Sequence, residues 1–322
     1  MSSLYAQSEL KDLIKKVEND ERLDSEAGVR MMNSQDILAL GYMANLVCER
    51  KNGNHTYFIM TRQMNYTDAV IELPNQRDLS ELHLIGEFNQ ELPFEHYLEI
   101  LAKLKQSLPG VEIQAFTAYE IDYFTQMTKL SITEILEQLR HAGLNSLSGS
   151  RAEVFSGPEG TKLGVRNVSE QRYLEIQAAA HSLGIRTCAT MFYGQGESAK
   201  DHIDHLLKLR ELQDKTGGFL SFMPLSYFPV GTDQEEMMET GNSTGFEDLK
   251  MLAISRILLD NVDHIKAFWV VLGPKLTQVA LAFGVDVIDS QVMAKRVLIH
   301  LIGKAGREAV ERESLDHVNE SE

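Results

Sequence analysis

The chain has 322 residues, 43% of them hydrophobic, which is enough to bury one large core. Its 31 Lys and Arg residues are outnumbered by 47 Asp and Glu residues, and the resulting net charge of −16 argues against binding to the phosphate backbone of nucleic acids. The sequence contains neither a secretory signal nor an uncharged apolar run of about 18 residues, so we expect a cytoplasmic protein without a membrane span.

Helical periodicity comes first along the chain. Apolar residues recur at helical spacing from Leu10 to Val17 and again from Ile37 to Val47, which predicts two helices before the first strand. Residues 1–54 are therefore expected to form an N-terminal helical extension. At the other end, the acidic residues 306–322 are expected to form a tail, as a short helix that frays into solvent.

Between these ends, short apolar segments alternate with longer amphipathic ones. The alternation predicts strands at residues 55–63, 82–86, 111–117, 144–147, 185–192, 219–224 and 265–272. It predicts helices at residues 93–107, 131–142, 169–183, 199–215, 246–263, 274–283 and 291–301. This pattern is typical of an α/β fold with a parallel sheet. A TIM-type (β/α) barrel over residues 55–305, with C-terminal helices after its last strand, is favoured, and a doubly wound open sheet is the alternative.

The connection between the first two strands is unusual for such a barrel. Residues 64–81 contain Pro74 and show no helical period, although parallel strands are normally joined by a helical crossover. We therefore predict a barrel that is partial or modified at its first β/α unit. Either the first strand pairs differently, or the sheet has an exposed face at this point.

The chain contains two cysteines, Cys48 and Cys188, which are far apart in the sequence. This spacing excludes a disulfide framework and any metal site made of clustered thiolates. We interpret both as buried structural cysteines.

A series of sequence stretches, in order and at compatible spacing, carries a resemblance to a known family. They are ILALGYMANLV, NYT at residues 65–67, ELHLIG followed by LPFEHYLEIL, QAFTAYEIDYF, AEVF, LGIRTCATMFYG, DHLLKLRELQDKTGGFLSFMPLSYFP, DLKMLAISRILLDN and IKAFWVVLGPKLTQVALAFG. From about Ile14 to Asp289 the chain resembles the aminofutalosine synthases (MqnE type) of the radical S-adenosylmethionine superfamily, which act on the futalosine route to menaquinone.

The resemblance implies a definite chemistry for an intact member. Three thiolates in a C-x3-C-x2-C loop after the first strand hold a 4Fe–4S cluster, and the open iron binds S-adenosylmethionine and cleaves it to a radical. In the family that radical adds to 3-((1-carboxyvinyl)oxy)benzoate and gives aminodeoxyfutalosine.

This sequence departs from the family pattern where that chemistry begins. After NYT the chain continues from Asp68 to Pro74 with no cysteine, and the loop is shortened. Where the family has a Gly-Gly pair that approaches the cofactor, the chain has Gly86 followed by Glu87, whose side chain restricts close approach. We therefore expect no 4Fe–4S cluster, and S-adenosylmethionine is kept as a candidate cofactor.

Other positions of the family pattern are retained, and each also has a structural interpretation. By resemblance, the candidate cofactor-binding residues are Gly86, Glu153 and Tyr193, and the candidate substrate-binding residues are Thr117, Glu120 and Lys275. Glu153 is equally explained by a salt bridge near Arg151, and Lys275 by a helix start after Gly-Pro. No catalytic residue and no metal ligand is assigned.

One further group of residues has the spacing of a metal site. Asp201, His202, Asp204 and His205 are separated by three and four positions on a predicted helix. The leucines of the same helix form its buried side, so a solvated face is the favoured interpretation of the acidic and histidine residues.

Two functional hypotheses follow. In the favoured one, the protein is a pseudoenzyme that keeps the barrel and part of the nucleoside pocket and binds a small nucleoside-type or benzoate-type ligand or a protein partner, such as an active synthase or a second copy of the chain. In the alternative, it remains an aminodeoxyfutalosine synthase through a cluster-independent or partner-assisted route. A mis-assembled coding sequence at residues 64–81 would be a third explanation.

Overall fold

The structure is a computed structural model, and it describes residues 5–66, 79–86, 92–149, 168–226, 244–289 and 295–312. The helices are α1 (Lys11–Glu18), α2 (Ser25–Asn33), α3 (Ile37–Asn52), α4 (Phe94–Ser107), α5 (Ala118–Thr128), α6 (Ile132–Ala142), α7 (Glu170–Ser182), α8 (Ala199–Thr216), α9 (Gly245–Leu258), α10 (Trp269–Ala280) and α11 (Lys295–Lys304). The strands are β1 (His55–Ile59), β2 (Thr61–Asn65), β3 (Glu81–Ile85), β4 (Glu112–Ala115), β5 (Ser146–Leu147), β6 (Arg186–Tyr193), β7 (Phe219–Ser226), β8 (His264–Ala267), β9 (Val287–Asp289) and β10 (Glu308–Arg312).

All strand pairs of the described sheet are parallel, in the order β10-β1-β9-β8-β7-β6-β5-β4-β3-β2. β1 and β2, near opposite ends of this order, are separated in the chain by Met60 alone. The amide of Tyr57 donates toward β9 (to Asp286 O, 2.7 Å), whereas the carbonyl of Met60 accepts from Ser80 N beside β3 (3.1 Å). Alternate residues of a strand bond to opposite edges, so one extended segment joins both ends of the sheet and curls it into a barrel. The predicted (β/α) barrel is confirmed.

The modification at the first β/α unit lies in this divided strand. Its first half pairs with β9 and its second half pairs with β3. β10 pairs with β1 from His55↔Glu308 to Ile59↔Arg312 and therefore occupies the edge below β3. Most of the connector that the sequence identified as unusual, residues 67–78, lies outside the described residues.

β10 also corrects the prediction for the C-terminal tail. Residues Glu308–Arg312 were expected to fray as a helix, but they form a strand of the barrel. The alternation of Ala309 and Val310 with charged residues is too short to distinguish strand from helix, and tertiary pairing decides the outcome. The remaining residues of the tail lie outside the described part of the chain.

Three helices rather than the predicted two precede β1. The additional one, α2, begins where the side chain of Asp24 accepts from the amide of Ala27 at 2.9 Å, and α3 begins with an equivalent cap from Asp36 to Ala39 at 3.0 Å. Such caps satisfy amides that the first helical turn leaves unpaired. The extension packs on the barrel through α3 against α9 and through α2 against α8, where Gly28 lies beside Ile203.

Two more differences from the predicted elements follow from local sequence signals. α5 was not predicted, although Thr117 and Glu120 form a capping box at its start. The apolar run predicted as one strand at residues 265–272 is divided: β8 ends at Ala267 and α10 begins at Trp269, with a break at Gly273 (φ 72°) before Pro274. A short apolar run does not by its period distinguish a buried strand from a buried helix.

The main hydrophobic core lies between the sheet and the surrounding helices, and a small second cluster lies inside the barrel. The inner cluster consists of Tyr57, Ile59, Cys188, Leu220 and Val287. Within the described residues, no helix is both long enough and apolar enough to cross a membrane.

Candidate functional site

The carboxyl ends of β2, β3 and β4 meet around Tyr66. Its ring is buried and lies edge-on to Tyr97 at 5.7 Å between centroids. Its hydroxyl donates to the carboxylate of Glu120 and lies 3.2 Å from the carbonyl oxygen of Gly86. The NYT stretch therefore contributes a side chain that ties three strand ends together.

Gly86 lies at this junction because its neighbours approach it closely. A Cβ at this position would be 2.7 Å from Asn65 Oδ1 and 3.0 Å from the ring of Tyr66. The close approach that the family pattern reserves for a cofactor is thus made here, at least in part, by the chain's own side chains. Cofactor binding by Gly86 stays a prediction.

Thr117 and Glu120 have structural contacts at the same place. The Oε2 atom of Glu120 accepts from the amide and hydroxyl of Thr117, at 2.7 and 2.9 Å, while Oε1 accepts from Tyr66. Both side chains are buried, and the arrangement caps α5. Each carboxylate oxygen thus already has a donor, and a role for either residue in substrate binding stays a prediction.

Tyr193 points into the helical layer. Its hydroxyl donates to Asp248 Oδ1 of α9 at 2.5 Å, and its ring lies 6.3 Å from that of His202 on α8. The side chain is buried between β6 and these helices. The structure gives Tyr193 a packing role, and the predicted cofactor contact stays a prediction.

Replacing Tyr193 with Phe should lower the free energy of unfolding by about 1–3 kcal/mol, since buried Asp248 loses this donor. Urea unfolding of the variant beside the unmodified protein would measure the change. A packing role also implies that nucleoside affinity is unaltered. A large loss of affinity with no loss of stability would instead place Tyr193 in the cofactor site.

The remaining candidate residues are not brought to this junction by the described structure. Lys275 is exposed on α10, two residues after the break at Gly273. Glu153 lies outside the described residues. The structure therefore brings Gly86, Thr117 and Glu120 together at the Tyr66 junction, whereas Tyr193 contacts α9.

The histidines of α8 correct the expectation of a solvated face. His202 and His205 are buried, whereas Asp201 caps the helix through Ser198. His202 Nε2 lies 3.5 Å from the carboxylate of Glu197, and burial lowers the pKa of His205 to about 3. Among the described residues, no group of His, Cys, Asp and Glu has the arrangement of a metal site.

Inside the barrel lies a polar group that the sequence pattern did not reveal. Glu81 and His83 of β3 are buried, with Glu81 Oε1 and His83 Nε2 3.0 Å apart. Lys266 of β8 is also buried, and its charge acts on Glu81. The one sequence feature that could have revealed this polar group is the alternation of charged and apolar residues in ELHLI. In a strand, such alternation usually indicates a solvent-exposed face.

The two cysteines can be tested against the cluster that the family pattern requires. Cys48 is fully buried in α3, where burial raises the pKa of its thiol to about 11. Cys188 lies in β6, where its Sγ is 3.3 Å from Gln114 Nε2 and 3.3 Å from Ser221 Oγ. A 4Fe–4S cluster needs several adjacent thiolates. Two separate buried thiols do not fit such a cluster.

Comparison with known proteins agrees with the fold. The chain superimposes on methylornithine synthase (PylB) with a TM-score of 0.67 and 13% sequence identity, covering 94% of this chain and 98% of that one. Residues 216–312 match the model of the CofH/MqnC C-terminal region. The fold is therefore that of a (β/α) barrel of this type.

Sequence relatives define the family more closely. The aminodeoxyfutalosine synthase of Thermus thermophilus is 36% identical over 94% of both chains, and that of Streptomyces coelicolor is 34% identical over 89% of this chain and 84% of its own. This chain belongs to the aminodeoxyfutalosine synthase family of radical S-adenosylmethionine proteins. Membership implies use of S-adenosylmethionine and usually an iron–sulfur cluster, which the cysteines of this chain do not fit.

Proposed function

We propose that this protein is a non-radical member of its family that binds a nucleoside-type metabolite. The observation that carries the proposal is the set of sulfur donors. The 322 residues contain two cysteines, one in α3 and one in β6, and none in the segment after β2 where the family pattern has three. Iron–sulfide cores are held by thiolates, and carboxylate or proline side chains do not replace them.

The length of the alignment supports the same proposal. The Thermus thermophilus relative aligns over 349 positions, more than the 322 residues of this chain, so that protein has residues without a counterpart here. The shortened segment after NYT is the place where the family pattern puts the cluster loop. The barrel core and the Tyr66 junction are intact without it.

Anaerobic reconstitution with iron and sulfide tests the loss of the cluster. The purified protein should stay nearly colourless and retain no more iron than a Cys48→Ala/Cys188→Ala double variant. The Thermus thermophilus synthase, treated in parallel, serves as the positive control. Iron bound near stoichiometry, together with reductive cleavage of S-adenosylmethionine, would refute the proposal and favour a still-active synthase.

Ligand binding is tested separately by calorimetry with adenosine and S-adenosylmethionine. We expect heat of binding for at least adenosine, because the proposal retains a nucleoside pocket in the barrel. Binding only of a co-purifying protein, with no response to either nucleoside, would favour a partner-binding role.

A further inference from the structure

The interior of the barrel opens toward the carboxyl ends of the strands. Along β3, Leu82 and Leu84 belong to the core beneath the helices, so Glu81, His83 and Ile85 face inward. The exposed fraction of these inward residues rises from 4% to 8% to 40%. On β2, the same register makes Thr61 buried and Gln63 exposed. The interior therefore becomes more exposed toward the carboxyl ends of the strands, and Glu81 and His83 lie at its buried floor.

This floor of the barrel interior is polar. TIM-type barrels usually fill their interior with branched apolar side chains. Here His83 is the register partner of Gln114, whose amide nitrogen lies 3.3 Å from both Ser146 Oγ and Cys188 Sγ. Polar groups therefore extend from β3 to β6 across the floor.

Lys266 lies across this floor from Glu81. It is on β8, which is separated from β3 around the barrel by β9 and the divided strand. It is buried and in register with Val287, a member of the inner cluster. Its charge contributes to lowering the pKa of Glu81.

Glu81 has one carboxylate oxygen without a hydrogen-bond donor. Oε1 is paired with His83, but Oε2 is buried and has no partner among the described residues. Burial raises the pKa of Glu81, but the charge and hydrogen bond of His83 and the charge of Lys266 outweigh it, so the pKa lies below its usual value. The group is therefore an ionised carboxylate with an unused acceptor, which is costly unless a water molecule or a ligand supplies a donor.

The charges around Glu81 indicate which donor fits. Lys266 is cationic and offsets the carboxylate, and a second full cation would be repelled by it. A neutral O–H or N–H group can donate to Oε2 without that penalty. Sugar hydroxyls are neutral donors that protein carboxylates commonly bind.

We infer that the floor of the barrel is a ribose-binding subsite in which Glu81 Oε2 accepts a hydrogen bond from a sugar hydroxyl of the ligand. The inference rests on the proposed nucleoside-binding function and extends it by naming the residue and the part of the ligand that it reads. Glu81 acts here in binding and specificity, with His83 holding its carboxylate in place.

Adenosine and 2′,3′-dideoxyadenosine test this inference because they differ only in the two sugar hydroxyls. Calorimetry should show that the intact protein binds adenosine about 10- to 100-fold more tightly than the dideoxy compound, as expected for hydrogen bonds to a buried charge. Glu81→Gln keeps the size of the side chain and should remove most of this preference. Glu134→Gln, at an exposed cap of α6, should keep it.

The outcomes of this experiment separate the subsite from the proposed nucleoside-binding function. If Glu81→Gln folds, as judged by its melting curve, and still prefers adenosine as strongly as the intact protein, the subsite is wrong while nucleoside binding stands. If the intact protein does not bind adenosine, both the subsite and the proposed function fail. A selective loss of preference in Glu81→Gln, absent in Glu134→Gln, supports the subsite.

Discussion

Replacing Arg256 with Met is expected to lower the free energy of unfolding by about 3–5 kcal/mol, the usual cost of removing one partner of a buried ion pair. Arg256 and Asp286 are both fully buried and are joined at 2.5 Å. The guanidinium also donates to the carbonyls of Gly284, Val262 and Asp263, at 2.9, 3.1 and 3.1 Å. The variant leaves these acceptors and the charge of Asp286 without their donor.

The other contacts of Asp286 increase the expected loss of unfolding free energy. Its carboxylate also accepts from the amide of Ile265 at 2.7 Å and pairs with His264 Nδ1 at 2.5 Å, so it links β8 with the segment entering β9. His264 Nε2 in turn accepts from Arg312 of β10 at 2.7 Å. Loss of Arg256 therefore loosens helix α9, two central strands and the C-terminal strand together.

The matched control is Arg30→Met, which removes an exposed pair with Asp12. Exposed pairs contribute at most about 1 kcal/mol, because water solvates both charges. Chemical denaturation of both variants measures the difference in their free energies of unfolding. Equal small losses would mean that the buried network does not stabilise the barrel.

The outline of the fold could be predicted because strong local patterns agree with it. Apolar segments such as FLSFMPL have the continuous hydrophobicity of a strand covered on its outer face, and β7 forms there. The elements that the sequence predicts wrongly are those with weak or ambiguous patterns. The start of α10 at Trp269 and the strand β10 depend on tertiary packing, which local periodicity does not report.

The candidate site could be predicted only in part. Motif order placed Gly86, Thr117 and Glu120 at neighbouring strand ends, and the barrel brings those ends together. The side of the sheet to which a side chain points was harder to predict. Tyr193, the last residue of its strand, faces the helices. The inward direction of Glu81 depends on register, and a shift of one residue would reverse it.

The second large effect expected is a loss of stability in acid caused by His205. Burial lowers the pKa of His205 to about 3, and this effect outweighs the hydrogen bond with the backbone of Thr190, which acts in the opposite direction. In the unfolded chain a histidine has a pKa of about 6.5, so on acidification the unfolded state takes up the proton first. The stabilising difference is present above the unfolded pKa and is lost progressively as the pH falls toward the folded pKa.

The expected size of this effect can be measured against His205→Gln, which removes the titrating ring. From about pH 7 to about pH 5 the unmodified protein should lose about 2 kcal/mol more unfolding free energy than the variant. About 1.5 pH units of that interval lie between the unfolded and the folded pKa of His205, and each unit costs about 1.4 kcal/mol. His181, whose pKa burial lowers to about 4, destabilises both proteins alike and cancels in the comparison. Above about pH 8, where histidine no longer titrates, the difference between the proteins should be constant. Parallel losses throughout the acid range would show that His205 takes up its proton as readily in the folded barrel as in the unfolded chain, which would contradict the effect of burial on its pKa.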